Sequence, residues 1–234
     1  MNKGNKTLVG ILAFVLVCVV GYALFGENIN VTGSATASGD WGITATCQPG
    51  IPSLIGSAAD DLLYHKEGGF SSDTCNVTDG TKVKFNTNLL YPSSARHFTV
   101  KFTNTGNVNA TIDMSGNAEI FETVIFKNES SEVCEINSSN QKVNCSDRLT
   151  YDTGRSNFIS DSILGFSDAS GKFYSTDEVD EFINSDTGVV ALESGESIYV
   201  ALTIYWDEDY VSNTNSAHLS FEVNADVDFI QATE

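Results

Sequence analysis

The chain has 234 residues and a mass of 25.2 kDa, with 12 Lys+Arg against 31 Asp+Glu, a formal net charge of -19 and a pI near 4.2. A surface this negative is repelled by nucleic-acid phosphate and by anionic lipid, which argues against either as a docking partner. With 41% hydrophobic and 10% aromatic residues the chain is too apolar for a disordered acidic tail, and with only 18% charged residues and three prolines it reads as an all-β exported protein.

Lys3 and Lys6 precede an uncharged run from Leu8 to Phe25, and the first acid is Glu27. A positive flank before a hydrophobic run is an export signal with its N-terminus inside. As a helix the 18 residues of that run span roughly 27 Å, the lower limit for crossing a bilayer. Three readings stay open: a cleaved signal peptide, a retained anchor, or a pilin-type leader cut near Lys3-Gly4 that would bury Lys6 in a packed helix. Each exports residues 27–234, and the whole chain divides into a signal peptide or anchor (1–26), a candidate donor strand (27–38) and a β-sandwich domain (39–234).

In the N-terminal strand Ile29, Val31, Gly33, Ala35 and Ala37 form one face, and Asn30, Thr32, Ser34 and Thr36 the other. The apolar face tapers from branched residues to Gly and Ala, as a strand entering a narrow slot would. It is either an ordinary first strand of its own sandwich or a strand that completes a neighbour's sheet by β-augmentation. Trp41, beyond it, and Trp206 read as core residues rather than sugar platforms.

Cys18 lies in the hydrophobic run, so the exported cysteines are Cys47, Cys75, Cys134 and Cys145. An even number outside the cell predicts two disulfides. Of the three possible pairings, proximity favours Cys47 with Cys75 and Cys134 with Cys145. No Cys-x-x-Cys pair occurs, which disfavours structural zinc. Asn-x-Ser/Thr sequons at Asn5, Asn30, Asn76, Asn109, Asn128, Asn137 and Asn144 make the exposed ones glycosylation candidates.

From Asn28 onward the dominant period is two. Thr81 to Phe85 is a short strand. Phe98, Val100 and Phe102 alternate with polar residues, and the Thr103-Asn-Thr-Gly-Asn107 turn leads to a second strand over Ala110 to Met114. Glu119 to Phe126 is another short candidate. Residues 128–188 alternate poorly and are expected to form long loops pinned by Cys134 and Cys145. The exception is a short helix over Ser175 to Asn184, where Ser175 and Glu178 have capping-box spacing. Ile198, Val200, Leu202, Ile204 and Trp206 mark a strand, and Ala217 to Phe229 a longer one. The sum is a two-sheet β-sandwich with jelly-roll or immunoglobulin-like connections.

Three segments carry a resemblance: Asn30-Val-Thr-Gly-Ser-Ala-Thr-Ala-Ser-Gly-Asp-Trp-Gly-Ile43 directly after the leader, Phe98-Thr-Val-Lys-Phe-Thr-Asn-Thr-Gly-Asn107, and Leu192-Glu-Ser-Gly-Glu-Ser-Ile-Tyr-Val200. In these the chain resembles the TasA and camelysin group of secreted biofilm-matrix fibre proteins and the related archaeal bundling pilins. The resemblance implies a jelly-roll subunit that polymerises head to tail, each copy inserting its N-terminal strand into the next. The donor segment would be Ile29 to Ala37, and the partners would be copies of the same chain together with cell-surface or matrix components. Four exported cysteines and an acidic insertion near Asp177 depart from the simplest members. The alternative is a membrane-anchored or type IV pilin-like surface adhesin that keeps Leu8 to Phe25.

No catalytic motif surrounds His65, His97 or His218, and no zinc-protease, nucleophile-elbow, phosphate-loop or dinucleotide signature occurs, so no enzyme and no cofactor is expected. The acid pairs Asp207 with Asp209 and Asp226 with Asp228 have the residue types of a glycosidase, but they sit among many other acids. Calcium is the one ionic possibility, at Asp177 and Asp180 or at Asp207 and Asp209. No EF-hand spacing is met, and a solvated acidic face is the simpler reading.

Overall fold

The computed structural model describes residues 42–50, 65–113, 125–147, 158–175, 191–210 and 218–232. In chain order their strands are β1 (Ile43–Gln48), β2 (Phe70–Asp79), β3 (Lys82–Leu89), β4 (Ala95–Asn104), β5 (Ala110–Ile112), β6 (Lys127–Ile136), β7 (Lys142–Ser146), β8 (Ile159–Ser167), β9 (Phe173–Ser175), β10 (Ala191–Leu192), β11 (Ser197–Tyr205), β12 (His218–Asp226) and β13 (Phe229–Gln231). The described residues contain no helix, so the protein is all-β across them. Sheet A runs β1-β4-β11-β8-β9, sheet B runs β2-β3-β12-β6-β7, and a small sheet C runs β10-β5-β13. Every pairing is antiparallel.

Alternation decides which side of each strand is buried. On β3, Val83, Phe85 and Leu89 point inward, and on β12 Leu219, Phe221, Val223 and Ala225 do, while Lys84, Asn86, Glu222 and Asn224 take the other face. Sheet A contributes Phe98, Val100 and Phe102 from β4 and Ile198, Val200, Leu202 and Ile204 from β11, with Val100 opposite Val200. These residues form one contiguous core between sheets A and B, the layering of a β-sandwich. Phe85 of sheet B meets Phe98 of sheet A at 5.2 Å between ring centroids, and Phe126 contacts Phe85 at 5.5 Å and Phe102 at 6.0 Å. Each buried Phe or Leu stabilises the fold by about 1.5–3 kcal/mol relative to exposure.

Both disulfides follow the expected pairing. Cys47–Cys75 ties edge strand β1 of sheet A to edge strand β2 of sheet B. Beside it Arg96 of β4 pairs with Asp73 of β2 at 2.7 Å and with Glu67, and its guanidinium lies 4.5 Å from the Phe70 ring centre. Burial lowers the Arg96 pKa, though the group stays charged. Cys134–Cys145 works within sheet B, joining β6 to β7.

Two expectations are corrected. Residues 128–188 are not simply loops, because β6, β7, β8 and β9 fall within them. Alternation fails there for two reasons: β8 is buried on both sides from Leu164 to Ser167, and the first half of β6 is polar on both. The expected strand from Ala217 to Phe229 breaks after Asp226, whose Oδ1 accepts from Val227 N at 2.9 Å, and the chain crosses to sheet C as β13. The second strand expected beyond the Thr103–Asn107 turn is β5, which joins β10 and β13. Ser175 is the last residue of β9, and the rest of the candidate helix lies outside the described residues, as do the leader, the segment Ile29, Val31, Gly33, Ala35, Ala37, and Trp41.

Candidate functional site

The corner where the chain enters the sandwich is fastened at Gly42. Its carbonyl accepts from Thr105 N at 2.7 Å, Gly106 N at 3.2 Å and Thr105 Oγ1 at 3.1 Å. A Cβ at position 42 would stand 2.8 Å from Thr105 Oγ1, so this close approach favours glycine. Two residues into β1, Ala45 N donates to Gly80 O of the β2–β3 turn at 3.3 Å. These attachments frame an open cleft of about 350 Å³ lined by Gly42, Ile43, Gly80, Thr81, Val227, Asp228 and Phe229. Ile43 and Phe229 pack on the core, and Phe229 lies 5.5 Å from Phe102.

The acids at this corner are occupied by structural bonds. Asp226 Oδ1 accepts from Thr81 Oγ1 at 2.6 Å, and Asp228 pairs with Lys127, a hydrogen bond that raises the lysine pKa. Asp226 and Asp228 thus tie the start of β3 and the start of β6 to the β12–β13 turn.

A second cleft of about 310 Å³ is lined by His65, Ser93, Tyr205, Trp206, Asp207, Glu208 and Asp209. The His65 ring stacks on Tyr205 with centroids 3.5 Å apart, and Trp206 is buried. The acidic tip is a turn that satisfies itself: Asp207 Oδ1 accepts from Asp209 N at 2.9 Å and Asp207 O from Tyr210 N at 3.0 Å. Among the described residues three potential ligand atoms approach within 4.8 Å only at Glu132, Cys134 and Cys145, and both cysteines are in a disulfide. Asp207 and Asp209 line this cleft together with Glu208, and Asp177 and Asp180 lie outside the described residues. His97 Nδ1 meets Thr203 Oγ1 at 2.7 Å across β4 and β11, both side chains being buried. His218 is partly exposed on the outer face of β12.

Sequence reasoning missed Asp161. It lies on β8 opposite Leu202, on the inner face of sheet A, and its Oδ2 accepts from the backbone N–H of Ile125 and of Phe126, each at 3.0 Å. One carboxylate of sheet A thereby holds the segment that enters β6 of sheet B. Burial raises its pKa from 3.8 to about 7, against the opposing pull of the two backbone donors. The signal was present in Ile159-Ser-Asp-Ser-Ile163, where the acid takes the same side as both isoleucines.

The sequon asparagines also separate. Asn76, Asn109 and Asn144 are exposed, Asn128 and Asn137 are half-buried, and Asn30 lies outside the described residues. No protein family, no curated protein and no solved structure matches this chain.

Proposed function

We propose that the protein is an exported structural subunit of an extracellular filament, a biofilm-matrix fibre or bundling pilus of the TasA and camelysin type. In this reading the sandwich has jelly-roll connections and polymerises head to tail, Ile29 to Ala37 of one copy adding a strand to the next. The observation that carries it is positional. The first strand of the sandwich, β1, pairs only with β4 among the described residues, and just five residues, 38–42, separate it from Ala37. Fully extended, five residues reach about 17 Å, enough to place the tapering segment clear of the edge from which it departs. Two disulfides, one joining the sheets, suit an oxidising compartment outside the cell. The pairing of Asp226, Asp228 and His97 with structural partners favours a scaffold over an enzyme.

The test is electron microscopy and N-terminal sequencing of the exported protein beside a variant lacking residues 27–38. Filaments from the full mature chain and none from the truncation are expected, with cleavage near Gly26 freeing the strand. Soluble monomer from both chains, or a mature protein that retains Leu8 to Phe25, overturns the proposal in favour of an anchored adhesin.

A further inference from the structure

Five of the seven sequons fall among the described residues, and what each side-chain amide is doing separates them. Asn128 Nδ2 donates to Ser131 Oγ at 3.0 Å, and its Oδ1 is buried without a partner among the described residues. Asn137 folds its side chain into the β6–β7 turn, where Oδ1 accepts from Ser139 N at 2.9 Å and Gln141 N at 3.0 Å. Asn144, at a φ of 50°, donates from Nδ2 to Glu135 Oε2 at 2.8 Å. Glu135 is fully buried and shares the inner side of β6 opposite Leu219, so the Asn144 amide helps to satisfy a carboxylate withdrawn from water.

Asn76 and Asn109 differ from these three. Both are exposed, and neither side chain makes a hydrogen bond among the described residues. Asn76 is on edge strand β2, opposite Lys84 on the outer face of sheet B. Asn109 lies in the β4–β5 connection, held through its backbone carbonyl, which accepts from Ala232 N at 2.9 Å.

We infer that Asn76 and Asn109 are the N-glycosylated residues of the described domain and that Asn128, Asn137 and Asn144 remain unmodified. The donor is a saccharide linked through phosphate to a membrane lipid, used by a membrane-bound transferase. Asn Nδ2 forms a bond to the anomeric carbon, the bond from that carbon to the phosphate oxygen breaks, and one amide proton is lost as the lipid phosphate departs. The reaction requires an amide nitrogen that can be presented to solvent. At Asn76 and Asn109 presentation breaks nothing, whereas at Asn144 it removes a donor from buried Glu135 and at Asn137 it dismantles the turn. A glycan on Asn76 stands on the polar face of sheet B. The inference does not depend on the filament reading and survives its failure.

The experiment is glycopeptide mass spectrometry on the full exported chain from the cells that produce it, with intact masses of the Asn76→Gln, Asn109→Gln and Asn144→Gln variants. Sugar is expected on the Asn76 and Asn109 peptides, and each of the first two substitutions should remove one glycan-sized mass step while the third removes none. Absence of sugar from either Asn76 or Asn109, or a step lost with Asn144→Gln, overturns the inference. A variant that is not exported leaves the wild-type peptide map as the deciding measurement.

Discussion

Along β3 and β12 of sheet B, buried residues alternate with partly exposed ones from end to end, whereas in β11 of sheet A all nine residues are buried. In sequence both kinds of strand show the same period of two. What differs is the second face. On β12 it is His218, Ser220, Glu222, Asn224 and Asp226, but on β11 it is Ser197, Tyr199, Ala201, Thr203 and Tyr205, with no charge. A period of two thus marks a strand, and the presence or absence of charge on its weaker face marks how many sides are covered. Leu164, Tyr199, Ala201 and Phe173 form a second apolar cluster on that side of sheet A. Gly165 makes it possible, since a Cβ there would lie 2.3 Å from the Phe173 ring.

The contrast breaks most sharply under a charge placed on matching positions. Ala201→Asp on β11 puts an unpaired carboxylate on a fully buried face and should cost at least about 3 kcal/mol, whereas Ser220→Asp on β12 should stay within about 1 kcal/mol. Denaturant midpoints of the two variants check this, and equal losses would mean that the faces are equivalent. Next in size, Leu202→Ala in the inter-sheet core should cost about 2–5 kcal/mol, while Asn86→Ala on the outer face of sheet B should fall within about 0.5 kcal/mol.

The two disulfides extend the comparison, since one joins the sheets and the other stays within sheet B. With 28 and 11 residues of sequence separation, loop-closure entropy gives roughly 3.6 kcal/mol for Cys47–Cys75 and roughly 2.8 kcal/mol for Cys134–Cys145. Thermal melts of the paired Cys→Ser variants should show the larger loss for Cys47 with Cys75.

A further effect, on the order of 2–4 kcal/mol at its upper end, is pH-dependent and belongs to Asp161. Its folded pKa of about 7 stands above its ordinary 3.8. Below the lower value the group is protonated in both states and contributes nothing. Between the two the folded chain holds a proton that the unfolded chain releases, so stability falls as pH rises, reaching a plateau above the folded pKa. Asp161→Asn keeps an acceptor for the Ile125 and Phe126 N–H groups and should flatten this slope between pH 4 and 7. Unfolding free energies across that range decide, and an unchanged slope would remove Asp161 as its source.

Much of the fold was legible from a few features. The inward residues of β4, β11 and β12 and both cysteine pairings were readable because each rests on local alternation or short separation. Strands β6 and β8 were not, because a strand polar on both sides or buried on both sides has no period to read. Sheet C was hidden for another reason: its strands are two and three residues long and owe their pairing to tertiary placement. At the candidate site the acids and histidines were visible as residues, but their partners were not. Thr81 for Asp226, Lys127 for Asp228 and Thr203 for His97 come from parts of the chain far apart in sequence.

The filament reading turns on one face of one segment, so the most direct measurement substitutes that face and its reverse in the full chain. Electron micrographs of exported Val31→Asp and Thr32→Asp, at equal concentration, compare a charge on the apolar side of the donor segment with one on its polar side. Donor-strand insertion predicts filaments from Thr32→Asp and none from Val31→Asp, with both monomers folded. Filaments from both variants would contradict insertion of that face into a neighbouring sheet.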